Sequence, residues 1–151
     1  MINGTHIETG MKNEISYMQI AYVWAQNSKA QRQKVGCIIV KDGSIISDGY
    51  NGTPSGFDNV CEDPHGITKK EVLHAESNAI AKLAKSTISS SGSSIFLTLS
   101  PCYQCAQLII QSDIIAVYYS ELYRDTSGIA LLEEANIYTT KLTIKDNPYG
   151  Y

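Results

Sequence analysis

The sequence predicts an α/β domain built around a mixed five-stranded sheet. Two β-branched runs, residues 35–40 and 45–50, are joined through Asp42-Gly43, a dipeptide typical of tight hairpins. From residue 71 onward, helical and strand-like segments alternate, which is the pattern of parallel strand pairs. The hairpin therefore supplies an antiparallel pair and the alternating part supplies parallel pairs.

The individual elements follow from the spacing of apolar residues. Residues 14–27 have helical spacing, and residues 71–85 form a second helical segment that ends in lysines. Residues 1–13 are expected to be a tail, and residues 51–70, rich in Gly, Pro, Asn and Asp, a long functional loop. The remaining segments predict a strand, a helix, a strand, a short helix and a strand at 95–99, 102–111, 114–119, near 126–134 and 137–144.

Length and composition indicate one globular domain over residues 1–151. A chain of 151 residues falls within the usual size of a single domain. Its 43% hydrophobic and 18% charged residues argue against disorder. No apolar run approaches the ~20 residues that span a bilayer, and the first ten residues do not resemble a secretory signal. We therefore expect a cytoplasmic protein without a membrane partner.

The charge balance disfavours a nucleic-acid partner. The chain has 12 basic and 15 acidic residues, for a net charge of −3. Proteins that bind nucleic acids usually carry a basic stripe, and the densest basic run here extends only from Lys29 to Lys34. This balance favours a small anionic ligand.

Two short segments carry metal-binding and acid–base chemistry. They are His74-Ala75-Glu76 and Pro101-Cys102-Tyr103-Gln104-Cys105. Each is weak by itself, since a lone C-x-x-C also occurs in redox proteins. Together they offer one imidazole, two thiolates and a spare carboxylate. Catalytic zinc takes three protein ligands plus water, whereas structural zinc takes four. The set therefore favours a catalytic zinc, and a non-catalytic zinc-binding module remains the alternative.

The spacing of these residues predicts where the metal would lie. Cys102 and Cys105 share one face of a helix, for which Ser100 is the expected N-cap. The positive end of a helix dipole favours thiolates. His74 and Glu76 are two apart, so both can reach one ion only from the end of their helix. We therefore predict two helix N-termini that face one Zn²⁺.

The remaining thiols have simpler interpretations. Cys37 lies in a predicted strand and is expected to be a buried thiol. Cys61 and His65 are four apart in the long loop, and two ligands fall short of the four that a structural zinc needs. An ordinary surface loop is the default for them.

The H-x-E…P-C-x-x-C combination resembles the zinc-dependent cytidine deaminase superfamily. The resemblance implies a cytidine deaminase-like three-layer α/β/α fold with a mixed five-stranded sheet. It also implies that His74, Cys102 and Cys105 bind Zn²⁺ and that Glu76 is the general acid and base.

Further segments are similar to the deoxycytidylate (dCMP) deaminase family, over roughly residues 14–140. These are Gln33–Val40, Gly49-Tyr50-Asn51-Gly52-Thr53-Pro54-Ser55-Gly56, Val72–Glu76 and Tyr123-Arg124-Asp125. The likeness implies hydrolytic deamination of dCMP to dUMP and ammonia, in pyrimidine deoxynucleotide metabolism. Another deaminase of the same fold, acting on dCTP, another small molecule or tRNA, remains the enzyme alternative.

Residues 49–56 are predicted to contact the substrate's phosphate and sugar. Their glycines would let the backbone approach a ligand, and Thr53 and Ser55 offer hydroxyls. By resemblance, Asn51 would bond the deoxyribose or phosphate, and the backbone at Ala75 and Ser100 would read the cytosine edge. Tyr123 would stack on the base or bond the phosphate, although a core role is an equal alternative.

The resemblance also implies regulation. Members of this family are homohexamers that dCTP with Mg²⁺ activates and dTTP inhibits. The basic cluster Lys29, Arg32 and Lys34, with Gly49 across the hairpin, is the predicted effector site. A solvated helix end explains the same cluster equally well.

Overall fold

The computed structural model describes residues 4–144 of the chain. Its helices are α1 (Gly4–Ala25), α2 (Ala75–Ala84), α3 (Tyr103–Gln111) and α4 (Ser127–Glu134), and its strands are β1 (Gly36–Lys41), β2 (Ser44–Tyr50), β3 (Ser94–Leu99), β4 (Ala116–Glu121) and β5 (Tyr138–Lys141). Every helix and strand that the sequence predicts is present. The boundaries differ most in α1, which begins at Gly4, within the predicted tail, and in α2, which begins four residues later than expected. Residues 1–3 of that tail lie outside the described residues.

The five strands form one mixed sheet with the order β2-β1-β3-β4-β5. Strand β1 is antiparallel to both β2 and β3, whereas β3, β4 and β5 are parallel. The predicted hairpin joins β1 to β2, and Asp42 and Gly43 both have positive φ there. This is the backbone that two-residue hairpin turns require and that Asn, Asp and Gly tolerate.

Helices cover both faces of the sheet. On one face α1 buries Met18 and Ala21 against Ile38, Val40 and Phe96. On the other face lies the larger core, to which α2, α3 and α4 contribute Ala79, Leu83, Ala106, Ile109 and Leu132. The predicted three-layer α/β/α arrangement is therefore confirmed.

The strand directions bring several chain segments to one edge of the sheet. Parallel β3 and β4 both end there, and β1 begins there because it runs antiparallel to β3. Strand β2 ends at the same edge, since Tyr50 pairs with Gly36 at the start of β1. In open α/β sheets, ligands bind outside the carboxyl ends of the parallel strands. This edge is therefore where a ligand site is expected.

Helix α2 packs unusually close to β2 at Gly49. A Cβ built on Gly49 would lie 2.3 Å from the Ala75 carbonyl oxygen and 2.8 Å from the Ala79 nitrogen. Both atoms belong to the α2 backbone and cannot move independently of the helix. Glycine here lets α2 sit directly on the sheet, and this contact sets the position of the helix's first turn.

No helix in the described part of the chain is long and apolar enough to cross a membrane.

Candidate active site

The structure brings His74, Cys102 and Cys105 together. The Nδ1 atom of His74 lies 3.5 Å from the Cys102 sulfur and 3.3 Å from the Cys105 sulfur. One ligand atom from each residue lies within 4.8 Å of the others. Among the described residues, this is the one group of three or more His, Cys, Asp or Glu side chains arranged for a shared ion.

Two helix N-termini create this arrangement. His74 is the residue before α2, and Cys102 is the N-cap of α3. The Cys102 sulfur accepts the Cys105 N–H at 3.5 Å. An N-cap side chain accepts from the second or third residue of its helix, and the three-residue spacing of the C-x-x-C segment matches this. Our prediction that Ser100 caps α3 was wrong. The Ser100 hydroxyl instead accepts the Tyr123 N–H at 2.7 Å and joins the end of β3 to the segment after β4.

The electrostatics favour a thiolate at Cys102. A hydrogen bond with Cys105 lowers the pKa of the Cys102 thiol to about 4, and the nearby imidazole adds to this effect. The same Cys102 sulfur, as a hydrogen-bond partner, raises the pKa of His74. The hydrogen bond that the Cys105 thiol makes to the Cys102 sulfur also holds the pKa of Cys105 well above its usual range, and burial adds to this effect.

The donor set fits Zn²⁺. Imidazole nitrogen and thiolate sulfur are the ligands that zinc prefers, and three protein ligands are characteristic of catalytic zinc. A bound dication would favour loss of the proton from Cys105, because a coordinating thiol is deprotonated. The chemistry of the three side chains therefore matches the metal that the sequence predicts.

Glu76 lies next to the candidate metal cluster of His74, Cys102 and Cys105 but is not part of it. The residue is 4% exposed and lies in the first turn of α2. Burial raises the pKa of its carboxyl to about 7. A carboxyl with this pKa can both release and accept a proton near neutral pH, which general acid–base chemistry requires.

A pocket of about 510 Å³ opens in front of this cluster. It lies at the sheet edge described above. Of the predicted site residues, it is lined by His74, Ala75, Glu76, Cys102, Asn51, Ser100, Tyr123 and Arg32. The proposed chemistry and most of the predicted substrate contacts therefore share one cavity.

The side-chain amide of Asn51 forms hydrogen bonds with the backbone beside this cavity. Its Oδ1 accepts the Val35 N–H at 2.9 Å, and its Nδ2 donates to the Gln33 carbonyl at 2.8 Å. These bonds hold the segment before β1 against the end of β2. Asn51 lines the pocket while its side chain bonds to the backbone, and direct contact with substrate remains a prediction.

Other residues of the 49–56 stretch lie away from the pocket lining. The Thr53 hydroxyl donates to the Asp58 carbonyl, and Ser55 is exposed. Gly49 approaches α2 rather than a ligand, and a Cβ on Gly52 or Gly56 would meet nothing within 4 Å. Their predicted contacts with phosphate thus remain predictions.

The predicted effector cluster is divided by the structure. Arg32 lines the pocket, whereas Lys29 and Lys34 are exposed outside its lining, and Gly49 is buried under α2. The structure thus brings Arg32 to the same cavity as the candidate metal ligands His74 and Cys102.

Several pocket residues were not singled out as site residues from the sequence, and Arg124, Gln33 and Glu62 are among them. Arg124 lies 5.6 Å from the Tyr123 ring centroid, and Gln33 and Glu62 also line the cavity. The sequence contained a signal for Arg124, since it stands in the Tyr123-Arg124-Asp125 segment. Glu62 is one carboxylate in a long irregular loop, and no sequence pattern distinguishes it from the other acidic residues of that loop.

Of the other two thiols, Cys37 is buried as predicted, whereas Cys61 is buried although an ordinary surface loop was expected there. Cys37 is fully buried in β1, and burial raises its pKa well above the usual value. Cys61 is buried within the loop, and His65 is exposed.

A family model described as the cytidine and deoxycytidylate deaminase zinc-binding region matches residues 11–121. The match covers most of the chain, including His74, Glu76, Cys102 and Cys105. The chain belongs to this deaminase family. Its membership agrees with the resemblance carried by the H-x-E and P-C-x-x-C segments.

Two of the similar proteins have names that identify them as deoxycytidylate (dCMP) deaminases. The chain is 39% identical over 117 residues to a probable deoxycytidylate deaminase of Caenorhabditis elegans, covering 74% of this chain and 58% of that protein. It is 34% identical over 147 residues to the deoxycytidylate deaminase of Enterobacteria phage T4, covering 70% of this chain and 76% of that protein. The chain thus spans less than two thirds of the worm relative.

A solved structure gives a fuller match. The dCMP deaminase of cyanophage S-TIM5, crystallised in complex with dCMP and dUMP, is 43% identical with a TM-score of 0.83. The match covers 94% of this chain and 100% of that one. The agreement in fold extends over almost the whole length of both chains.

Proposed function

We propose that this chain is a zinc-dependent deaminase that converts dCMP and water to dUMP and ammonia. The observation that carries the proposal is the shared cavity. A zinc-type donor set, a buried carboxyl with a pKa of about 7 and two arginines meet in one pocket. The names of the similar proteins from C. elegans, phage T4 and cyanophage S-TIM5 support dCMP as the substrate.

His74, Cys102 and Cys105 would hold the metal. Bound zinc supplies a Lewis acid that makes water nucleophilic near neutral pH. The two thiolates keep the charge of this site close to neutral. Both cysteines stand at the N-terminus of α3, which places their sulfur atoms beside the His74 imidazole.

Glu76 would move the protons. It takes one proton from the attacking water and delivers it to the cytosine ring nitrogen. It then takes the second proton of that water, from the hydroxyl added at the ring carbon C4, and delivers it to the amine, which leaves as ammonia. The raised pKa suits both roles, since the group must be a base in one step and an acid in the next. Its burial keeps competing water away from the transferred proton.

The pocket walls would hold the nucleotide. We assign the cytosine edge to the backbone at Ala75 and Ser100, and the sugar side to Asn51 and Tyr123. Arg32 and Arg124 line the same cavity and match the charge of a phosphate. Thr53 and Ser55 lie in the adjoining loop and contact phosphate only if that loop moves toward the ligand.

A substrate panel tests this function. Ammonia release is measured from dCMP, dCTP, deoxycytidine, an adenine nucleotide and a tRNA anticodon stem. We expect dCMP to have the highest kcat/KM by at least an order of magnitude. Highest turnover of dCTP or tRNA would identify a different deaminase of this fold. Zinc binding without turnover of any of them would identify a non-catalytic module.

We also propose that the enzyme is a cytoplasmic homohexamer, activated by dCTP with Mg²⁺ and inhibited by dTTP. Of the predicted effector cluster, Lys29 and Lys34 lie outside the pocket lining and are the candidate binding residues for the triphosphate. Saturation with dCMP should be sigmoidal without dCTP and hyperbolic with it, and dTTP should restore the sigmoid. Hyperbolic curves under all conditions would contradict regulation without affecting the proposed reaction.

A further inference from the structure

One wall of the pocket is a segment that is neither helix nor strand. This segment, residues 26–35, connects α1 to β1, and we call it the connector. Arg32, Gln33 and Val35 of the connector line the cavity. Its two ends are fixed by bonds with Asn51. The Ser28 hydroxyl donates to the Asn51 carbonyl at 2.8 Å, and the Asn51 amide bonds the backbone of Gln33 and Val35.

The middle of the connector is held by Glu62 alone among the contacts described for it. A single oxygen of this carboxylate, Oε1, accepts the N–H of Gln31 at 2.7 Å and that of Arg32 at 3.1 Å. Hydrogen bonds to an ionised acceptor are shorter and stronger than neutral ones. Two consecutive N–H groups on one atom also fix the orientation of the peptide between Gln31 and Arg32.

Glu62 is itself well anchored. Its neighbour Cys61 is buried, and the Cys61 carbonyl accepts the Lys69 N–H at 2.8 Å. On the other side, the Asp63 N–H donates to the Ile67 carbonyl at 2.8 Å, and Glu62 pairs with Thr68 in an isolated β-bridge. The carboxylate is therefore presented by a short hairpin-like turn rather than by an unsupported loop.

The side chain that this arrangement orients is Arg32. It lines the pocket, and its guanidinium has no carboxylate within 4.0 Å among the described residues. We propose that Glu62 is a positioning residue that fixes the Gln31–Arg32 peptide and so holds the Arg32 guanidinium at the pocket wall to bind the substrate's phosphate. This inference rests on the proposed function, because it takes a nucleoside monophosphate as the ligand.

If Glu62 served only to stabilise the fold, its removal would lower the free energy of unfolding and would not act specifically on phosphate binding. Both N–H groups that it accepts are exposed, so water can replace the carboxylate at little cost in folding free energy. Losing Glu62 should thus disturb the position of Arg32 more than the stability of the fold. Glutamine keeps an oxygen in the same place, so it should preserve the positioning without the charge.

The test uses Glu62→Ala, Glu62→Gln, Arg32→Ala and the Glu62→Ala/Arg32→Ala double variant. The quantity measured is kcat/KM for dCMP divided by kcat/KM for deoxycytidine, which lacks the phosphate, without dCTP or dTTP. Glu62→Ala and Arg32→Ala should each lower this ratio by roughly 10–100-fold, the value of a lost charged hydrogen bond, mainly through the KM for dCMP. The double variant should be no lower than Arg32→Ala, and Glu62→Gln should recover most of the ratio.

The controls separate the possible failures. Glu71→Ala removes an exposed carboxylate of the same loop that lies outside the pocket lining, and it should leave both the ratio and Tm unchanged. Failure of the wild-type protein to convert dCMP would overturn the proposed function and this inference with it. If wild-type converts dCMP, the inference is overturned by an unchanged ratio in Glu62→Ala. It is also overturned by additive losses in the double variant, or by a Glu62→Gln variant as impaired as Glu62→Ala.

Discussion

The two sides of the pocket are built in different ways. The helix half consists of His74, Glu76, Cys102 and Cys105, which stand at the N-termini of α2 and α3 with the larger core behind them. The loop half consists of the connector and residues 51–72, which side-chain bonds from Ser28, Asn51 and Glu62 hold together. The helix half holds the candidate metal ligands and the proton carrier that we propose, and the loop half forms the facing wall of the pocket.

The two halves differ in how firmly their residues are held in position. Helix ends are positioned by close backbone contacts and apolar packing, and such packing resists small displacements. A loop held by a few exposed or half-exposed hydrogen bonds opens more easily. Substitutions in the helix half should therefore act on metal binding and kcat, and those in the loop half mainly on KM.

The largest effect is expected for Cys105→Ser in the helix half. Cys105 is 4% exposed and lies in the first turn of α3, so no other described side chain of the cluster can take its place. Zinc content, measured by metal analysis, should fall to background, and deamination should fall below detection. Cys61→Ser is the control, since Cys61 is also buried but stands outside the cluster. Full zinc in Cys105→Ser would contradict the ligand assignment.

Asn51→Ala should have the next largest effect, in the loop half. The variant removes the bonds to Gln33 and Val35 and frees one end of the connector. We expect the KM for dCMP to rise roughly tenfold or more, as loss of about 1–3 kcal/mol implies. Zinc content should not change. Asn59→Ala, an exposed asparagine of the same loop, should leave KM near the wild-type value. A loss of zinc in Asn51→Ala would show that the two halves are not separable.

Gly49→Ala tests how the helix half depends on the sheet. The added methyl group would overlap the α2 backbone at Ala75 and Ala79, and overpacking of this kind costs about 1–3 kcal/mol. Tm should fall by about 2–4 °C per kcal/mol for a chain of this size. Gly52→Ala is matched, since its Cβ would meet nothing within 4 Å. Equal Tm values for the two variants would contradict the close packing of α2 on β2.

Ser100→Ala should have the smallest effect. It leaves the Tyr123 N–H without its 2.7 Å acceptor at the point where the two halves meet. The expected loss of stability is about 1 kcal/mol, with a change in KM of no more than a few-fold. Ser91→Ala, in the exposed turn before β3, is the control for a lost serine hydroxyl. A Tm identical to that of the control would show that this bond does not help to hold the Tyr123 segment.

The helix half could be predicted from the sequence because its geometry is local. A C-x-x-C at the start of a helix places both thiols at one end of that helix, and His74-Ala75-Glu76 fixes two groups on a single turn. The fold could also be predicted from the sequence, since the hairpin predicts the antiparallel strand pair and the alternating helices and strands predict the parallel pairs. The predicted cap at Ser100 failed because a cysteine sulfur takes the cap position instead.

The loop half could not be predicted in the same way. Its residues are far apart in sequence, and bonds such as Glu62 to Gln31 join positions 31 residues apart without any periodic pattern. Glycine and hydroxyl side chains in the 49–56 stretch looked like ligand contacts, yet Gly49 packs on a helix and Thr53 bonds to Asp58. Only the tertiary structure shows whether such a residue faces a ligand or contacts another part of the protein.

The most direct measurement compares the wild-type protein with Glu76→Gln. Zinc content and the rate of ammonia release from dCMP are determined on the same preparations. Glutamine has the size of the buried carboxyl but cannot carry its proton, so zinc should remain at the wild-type level while kcat falls by at least ~10²–10⁴-fold. A Glu76→Gln protein that retains zinc and deaminates dCMP at the wild-type rate would contradict the assignment of Glu76 as the proton carrier.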